Sequence, residues 1–146
     1  MASNDSVMLA KAIAITSKAF EHRFDKGGKP YILHCLYVMG KMPVNDPELQ
    51  QIAVMHDLVE DTGWTLDDLR KEGFSERVVA GVGIMTHNHE VPYDDYIHLI
   101  ATNKDARLVK LADLEHNSII FRMKGLRKKD FDRLEKYHRA YAYLSE

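Results

Sequence analysis

The sequence predicts an all-α fold, and three observations support this prediction. Apolar residues recur at helical spacing along most of the 146-residue chain. Residues that cap helix starts precede several of these stretches, and glycines or prolines follow them. The segment 77–85 is rich in Val and Ile and could form a strand, but its helical neighbours favour a helix despite its two glycines.

The amino-terminal half is predicted to form three helices, at 7–20, 31–42 and 47–60. Polar residues at 4–6 can cap the first helix, and the glycine-rich stretch 25–30 separates it from the second. Pro43 ends the second helix, Pro47 opens the third, and Gly63 follows the third. The third helix is predicted to continue without a break to its acidic end.

The carboxyl-terminal half is predicted to form five further helices, at 66–72, 76–86, 93–100, 105–121 and 131–144. Thr65 and Asp68 resemble a capping box for the first of these, and Ser75 can cap the next. The sequence has no internal repeat, low-complexity tract or interdomain linker. The helices are therefore predicted to pack around one core, as a single domain spanning 1–146.

Composition narrows the classes of function. Hydrophobic residues make up 45% and charged residues 29%, and the net charge of −2 gives no argument for a nucleic-acid partner or an anionic membrane. No apolar stretch approaches the roughly 20 residues that span a bilayer, and no signal-peptide pattern opens the chain, so the sequence predicts cytoplasmic residence. Cys35 is the only cysteine, which excludes an internal disulfide. Apolar helix faces could also pair two copies into a homo-oligomer.

Four residues of types that ligate metals stand in apolar, helix-like stretches: His34, His56, Asp57 and Asp113. Burying such groups without partners costs about 1–3 kcal/mol for a neutral donor and more for a charge. One shared divalent cation would give all four a partner. Because two imidazoles and two carboxylates suit a hard or borderline cation, the sequence predicts a site for one ion such as Mn²⁺ or Fe²⁺.

Further polar residues accompany the predicted ligands. Glu60 and Asp61 lie one helical turn beyond the His-Asp pair. These carboxylates repel their neighbours and oppose the helix dipole at a carboxyl end, so cation chemistry explains them better than a purely structural role. Asn117 shares a helical face with Asp113 and can orient a ligand or substrate.

Three separated motifs, RFDKGGKPYILH, HDLVEDT and VKLADLEHN, follow one another along the chain. Their order and spacing resemble those of the HD-domain phosphohydrolases, specifically the hydrolase domains of RelA/SpoT homologues and the small stand-alone alarmone hydrolases. The resemblance covers nearly the whole chain. It implies a single HD-domain helical bundle that binds one metal ion.

The resemblance also implies roles for individual residues. The four residues named above would ligate one metal, usually Mn²⁺, while Glu60 and Asp61 would act on the water and on the phosphate being cleaved. Asn117 matches a polar residue near the nucleotide, and Tyr31 belongs to the first motif. Lys26 has a claim on a substrate phosphate from its place in that motif.

The chain departs from the family pattern where substrate would be bound. Asp25 and Lys26 stand where relatives usually carry an Arg-Lys pair, so an acid replaces one cation. Ser118–Ile120 stand in place of a Met-Arg-Thr segment, which removes another cation and a hydroxyl. Arg122, one helical turn from Ser118, could compensate as a substrate-binding cation.

These residues predict hydrolysis of a phosphorylated nucleotide. A divalent cation lowers the pKa of water and neutralises phosphate oxygens, and a neighbouring carboxylate can take the proton. The resemblance narrows the substrate to guanosine 3′,5′-bis(diphosphate), ppGpp, or its pentaphosphate counterpart, with loss of the 3′-pyrophosphate to leave GDP or GTP.

Two alternatives stay open at this point. One is an HD phosphohydrolase acting on another nucleotide: a nucleoside monophosphate, NADPH or another polyphosphate. The other is a non-catalytic metal- or nucleotide-binding module. The intact Glu60 and Asp61 favour an enzyme, whereas the lost basic residues favour a binding module.

Overall fold

The computed structural model describes residues 3–146, and every regular element in that range is helical. The predicted all-α fold is therefore confirmed. An isolated bridge pairs Phe24 with Pro30 across the turn between the first two helices. The α-helices of this range are α1 (Asn4–Ala19), α2 (Ile32–Gly40), α3 (Pro47–Val54), α4 (Leu58–Asp61), α5 (Leu66–Lys71), α6 (Glu76–Met85), α7 (Tyr93–Ala101), α8 (Lys104–Asn117) and α9 (Lys128–Leu144).

Helix α3 lies at the centre of the packing and contacts α1, α2, α6 and α8. Its residues Ile52, Ala53 and Val54 are fully buried in one hydrophobic cluster to which α1, α2 and α6 to α9 also contribute. Helices α7, α8 and α9 pack on one another at the side of this core. Among residues 3–146, no helix is both long and apolar enough to cross a membrane.

The unbroken helix predicted over 47–60 is wrong, because α3 ends at Val54 and α4 begins at Leu58. The interruption contains both His56 and Asp57. Neighbouring residues of a regular helix point roughly 100° apart around its axis, since a turn takes about 3.6 residues. The break therefore allows adjacent His and Asp side chains to approach the same point in space.

The helix predicted over 105–121 also ends early. Helix α8 stops at Asn117 and a short 3-10 turn follows at Ile120–Arg122. A Cβ added to Gly27 would lie 2.1 Å from the carbonyl oxygen of Arg122. This close approach packs the turn that precedes α2 against the segment that follows α8, a contact that the helical pattern of either segment does not reveal.

The Val- and Ile-rich segment forms helix α6, and close packing against a neighbouring helix explains why Gly81 occurs in its interior. A Cβ added to Gly81 would lie 2.6 Å from Cδ1 of Ile52, which is fully buried in α3. The absence of a side chain at Gly81 thus allows α6 to pack closely on the central helix.

We expect Gly81→Ala to lower the free energy of unfolding by about 1–3 kcal/mol, because the added methyl overpacks the core. In an unpacked helix the same change would stabilise by about 1 kcal/mol. Gly40→Ala is the matched control, since a Cβ at Gly40 meets nothing within 4 Å. Urea denaturation of the two variants measures the difference, and a Gly81→Ala protein as stable as the wild type would contradict this account of the packing.

Candidate metal centre and catalytic chamber

The four predicted metal ligands converge in the structure, although they come from three separate parts of the chain. One ligand atom from each of His34, His56, Asp57 and Asp113 lies within 4.8 Å of those of the other three. His34 is on α2, the adjacent pair is in the break between α3 and α4, and Asp113 is on α8. We call these four residues the metal centre. Both histidines and Asp113 are buried.

The hydrogen bonding of His56 tests whether a cation fits this centre. Its Nδ1 lies 2.7 Å from the carbonyl oxygen of Ala53, which can only accept, so Nδ1 carries a proton. Its Nε2 is buried without a hydrogen-bond partner among the described residues, 3.0 Å from Asp57 Oδ2 and 3.3 Å from Asp113 Oδ1. In neutral imidazole this nitrogen would present a lone pair to two carboxylates. A divalent cation bound by all three groups removes that conflict, so the residues fit a metal.

The pKa shifts of the residues in the metal centre also indicate that a cation fits there. Burial alone would lower the pKa of His56, but the carboxylates of Asp57 and Asp113 outweigh it and raise that pKa well above its usual value. Burial would raise the pKa of Asp113, yet Lys110 and the two histidines hold it well below the usual range. The centre therefore strongly favours positive charge, which a proton on His56 or a metal ion can supply.

His116 lies beside the metal centre in contact with His34, a position that the sequence did not reveal. Its Nδ1 is 2.7 Å from Nδ1 of His34, and His34 Nε2 faces Asp113 Oδ1 at 3.0 Å. If His34 Nε2 binds metal, its Nδ1 carries the proton and donates a hydrogen bond to Nδ1 of His116. Burial, with the nearby charges of Arg122 and His34, lowers the pKa of His116 to about 4, which keeps it a neutral acceptor. A hydrogen bond made by the ring nitrogen that does not bind the metal fixes the orientation of a metal-binding imidazole.

We expect His116→Phe to weaken metal binding by about 10- to 100-fold, because an aromatic ring remains but the acceptor for His34 is lost. The ring of His116 stacks on Tyr37 at 4.0 Å between centroids, and phenylalanine can preserve this packing. Tyr37→Phe is the control, since it keeps the stack and removes only the bond to Glu115. Competition with a chromogenic chelator measures both affinities. Unchanged affinity in His116→Phe would show that His34 needs no such partner.

Lys110 also contributes to the surroundings of Asp113, although the sequence pattern does not distinguish it from an exposed helical lysine. The side chain is buried, and its Nζ donates to Asp113 Oδ2 at 2.9 Å. Asn117 Nδ2 donates to Asp113 Oδ1 at 2.9 Å. Asp113 is thus held from two sides. Its i, i+3 spacing from Lys110 was the available signal, but only the tertiary packing makes that pair buried.

The two predicted catalytic carboxylates lie beside the metal centre on α4. Glu60 Oε1 accepts a hydrogen bond from the backbone N–H of His87 at 2.6 Å, which anchors it to the loop after α6. Asp61 is half-buried, and its side chain accepts no hydrogen bond among the described residues. Burial, with the charges of Asp57 and Glu60, raises the pKa of Asp61 to about 6. Asp61 is therefore the carboxylate better suited to take a proton near neutral pH.

Two adjoining cavities meet beside the metal centre. The larger, about 370 Å³, is the chamber, and its lining includes the acidic residues of α4, Tyr93 of α7 and Lys136 of α9. The smaller, about 300 Å³, is the side pocket, which lies between the turn before α2 and the segment after α8. Tyr31 and Asn117 line both. A substrate can therefore extend from the metal centre into the side pocket.

The predicted substrate-binding residues all line at least one cavity, but two of them are engaged at the metal centre. Tyr31 donates its hydroxyl to Asp57 Oδ2, and Asn117 holds Asp113. Lys26 is exposed at the side pocket and makes no ion pair among residues 3–146. Arg23, which the sequence left unassigned, lines the same pocket and donates to the carbonyl oxygen of Asp61.

Arg122 has a structural partner in the side pocket. Its guanidinium pairs with Asp25 at 3.1 Å and also donates to the carbonyl oxygen of His116 at 2.8 Å. Asp25 in turn accepts hydrogen bonds from the backbone N–H groups of Gly27 and Lys29, which closes the turn. The acid that departs from the family pattern therefore holds the turn and neutralises part of the charge of Arg122.

Comparisons with known proteins give several relatives, although no family model matches the sequence. A guanosine-3′,5′-bis(diphosphate) 3′-pyrophosphohydrolase of Haemophilus influenzae is 33% identical over 115 residues, covering 70% of this chain and 17% of that protein. The protein of the same name from Aquifex aeolicus is 39% identical over 98 residues, covering 60% and 14%. A GTP pyrophosphokinase of Streptomyces coelicolor is 34% identical over 104 residues, covering 63% and 12%. The chain thus spans less than a fifth of the length of these relatives.

A solved structure described as a metazoan orthologue of SpoT that hydrolyses ppGpp has the same fold. It superposes with a TM-score of 0.78 and 20% sequence identity, covering 99% of this chain and 86% of that one. Together with the curated relatives, it confirms the resemblance to RelA/SpoT-type hydrolase domains and the HD-type helical bundle.

Proposed function

We propose that this chain, a relative of the RelA/SpoT-type hydrolase domains, is a metal-dependent ppGpp 3′-pyrophosphohydrolase. The observation that carries the proposal is the convergence of the metal centre with Glu60 and Asp61 at one chamber. The names of its relatives support the choice of ppGpp. The products would be pyrophosphate and GDP, or GTP from the pentaphosphate.

We infer that His34, His56, Asp57 and Asp113 hold one divalent cation, with Mn²⁺ as the expected ion. A cation there lowers the pKa of water and neutralises charge on phosphate oxygens. The ligand set contains no thiolate, which favours Mn²⁺ or Fe²⁺ over metals that prefer sulfur. Lys110, Asn117 and His116 keep two of the ligands oriented before substrate arrives.

The residues of α4 would then carry the proton transfer. Asp61 takes a proton from the attacking water while the oxygen of that water forms a bond to the phosphorus nearest the ribose. The bond between this phosphorus and the 3′ oxygen breaks, and the 3′ oxygen takes a proton from solvent water as the pyrophosphate departs, while Asp61 returns the proton it has taken to solvent. Glu60, anchored by the His87 N–H, keeps the helix end and its neighbouring carboxylate in position.

The side pocket suits the nucleoside part of the substrate. Phe24, Ile119 and Met123 provide apolar surface for a base, while Arg23 and Lys26 provide donors for phosphate oxygens. Asp25 forms an ion pair with Arg122 and neutralises part of its charge. We therefore expect this pocket to bind the nucleotide with fewer unpaired basic side chains than the family pattern implies.

The experiment that tests this function supplies metal-depleted protein with Mn²⁺ and measures phosphate and pyrophosphate release. The substrates are ppGpp, GTP, common nucleoside monophosphates and NADPH, with a chelator as control. Release of pyrophosphate from ppGpp that depends on Mn²⁺ is the expected result. Activity on another nucleotide alone would keep the chemistry but reject the substrate, and no turnover of any substrate would favour the non-catalytic binding module.

A further inference from the structure

Helix α4 is short, yet it presents both carboxylates of the proposed chemistry. It contains four residues, Leu58–Asp61. Few hydrogen bonds hold so short a helix together, so contacts from outside determine where its side chains lie. Glu60 has such a contact, because its carboxylate accepts a hydrogen bond from the backbone N–H of His87. Asp61 has none through its side chain among the described residues, so its placement depends on the backbone at the end of the helix.

Arg23 holds that backbone. Its Nη1 donates a hydrogen bond to the carbonyl oxygen of Asp61 at 3.0 Å, although the two residues are 38 positions apart in the chain. The guanidinium carbon also lies 5.9 Å from the centroid of the buried Phe20 ring, a distance typical of cation–π contacts. Arg23 therefore connects the end of α4 to the segment between α1 and α2.

The side chain of Arg23 also lines the side pocket. A guanidinium carries five N–H donors in one plane, and the carbonyl oxygen of Asp61 occupies one of them. In the same pocket Arg122 pairs with Asp25, whereas Arg23 makes no ion pair within residues 3–146. A nucleotide oxygen in the side pocket can therefore accept a hydrogen bond from the rigid group that also holds Asp61.

We propose that Arg23 is a positioning residue that couples nucleotide binding in the side pocket to the placement of Asp61 beside the attacking water. The inference rests on the proposed function for the identity of the nucleotide and for the role of Asp61. A nucleotide oxygen that accepts a hydrogen bond from the guanidinium holds this planar group still, and the group then holds the end of α4. A substrate without a nucleoside gains no such placement. Binding energy from the side pocket is thereby used in turnover and not only in affinity.

Hydrogen exchange of α4 tests the coupling without requiring turnover. The amides of Asp61 and Thr62 donate to backbone carbonyl oxygens one turn earlier, so their exchange reports how firmly the helix end is held. Mass spectrometry of peptides that span α4 measures exchange in the Mn²⁺-loaded protein with and without saturating GDP. We expect GDP to slow exchange of these amides by about 5- to 10-fold in the wild type. In Arg23→Gln this slowing should be lost, although GDP still saturates the protein.

Inorganic pyrophosphate and Lys29→Gln are the two controls. Pyrophosphate has no nucleoside, so any slowing that it causes should be equal in the wild type and in Arg23→Gln. Lys29 is exposed in the turn that follows Arg23 and lines neither cavity, so GDP should protect α4 in Lys29→Gln as it does in the wild type. Circular dichroism establishes that the variants are folded. Equal protection by GDP in the wild type and in Arg23→Gln, or no protection in the wild type, would overturn the coupling.

Steady-state kinetics separates this inference from the proposed function. If the wild type hydrolyses ppGpp, Arg23→Gln should lower kcat by about 10-fold, because Asp61 is less often in place to take the proton. A rise in KM with unchanged kcat would show that Arg23 only binds substrate, and the coupling would be rejected. If the wild type fails to hydrolyse ppGpp but GDP still protects α4 only when Arg23 is present, the coupling stands and the substrate assignment falls.

Discussion

Asp61→Asn is expected to lower the rate of nucleotide hydrolysis by about 10²- to 10⁴-fold, the usual contribution of a general base. Asp61 is the carboxylate of α4 whose side chain accepts no hydrogen bond among the described residues, and its raised pKa of about 6 suits proton transfer near neutral pH. Asparagine has nearly the same shape and cannot take the proton. Steady-state kinetics with Mn²⁺ measures the loss.

Two further variants test whether the loss of activity is specific to Asp61. Glu60→Gln should cost less activity, because the amide oxygen can still accept the hydrogen bond from the backbone N–H of His87. Asp67→Asn removes an exposed carboxylate that pairs with Arg70 outside the chamber, so its activity should be that of the wild type. Metal affinity should be retained in Asp61→Asn. Unchanged turnover of this variant would exclude Asp61 as the base.

Lys110→Met should lower the free energy of unfolding in chelator by about 3 kcal/mol, because it leaves the buried carboxylate of Asp113 without its partner. The two groups are 2.9 Å apart, with their side chains 10% and 7% exposed. A divalent metal should restore part of this stability, since the cation gives Asp113 another partner and binds only the folded protein. Denaturation with and without Mn²⁺ measures both effects.

Lys104→Met serves as the control for this variant. Lys104 opens the same helix but is exposed, so its loss should change stability by less than about 0.5 kcal/mol. An equal loss of stability with and without metal in Lys110→Met would show that packing, and not the charge of Asp113, explains the role of Lys110.

The four candidate metal ligands could be predicted from the sequence, because His and Asp residues in apolar helical stretches require partners wherever the chain places them. The sequence did not reveal the helix break that lets the side chains of His56 and Asp57 converge. The apolar pattern continues across 47–60, and no proline or glycine marks the break at 55–57. The break lets the adjacent side chains meet at the candidate site, and local helix propensity contains no information about this tertiary interaction.

By itself, the sequence determined the helical class, the types and order of the candidate metal-binding residues, and the resemblance that implies phosphate hydrolysis. These follow from local chemistry: helical period, capping and the affinity of His and Asp for cations. The tertiary structure alone decided which charges are buried and which have partners. Lys110 and Lys136 are both helical lysines in the sequence, yet one is buried against Asp113 and the other faces the chamber without a carboxylate. The reason is physical, since burial and charge pairing depend on neighbours that lie far away along the chain.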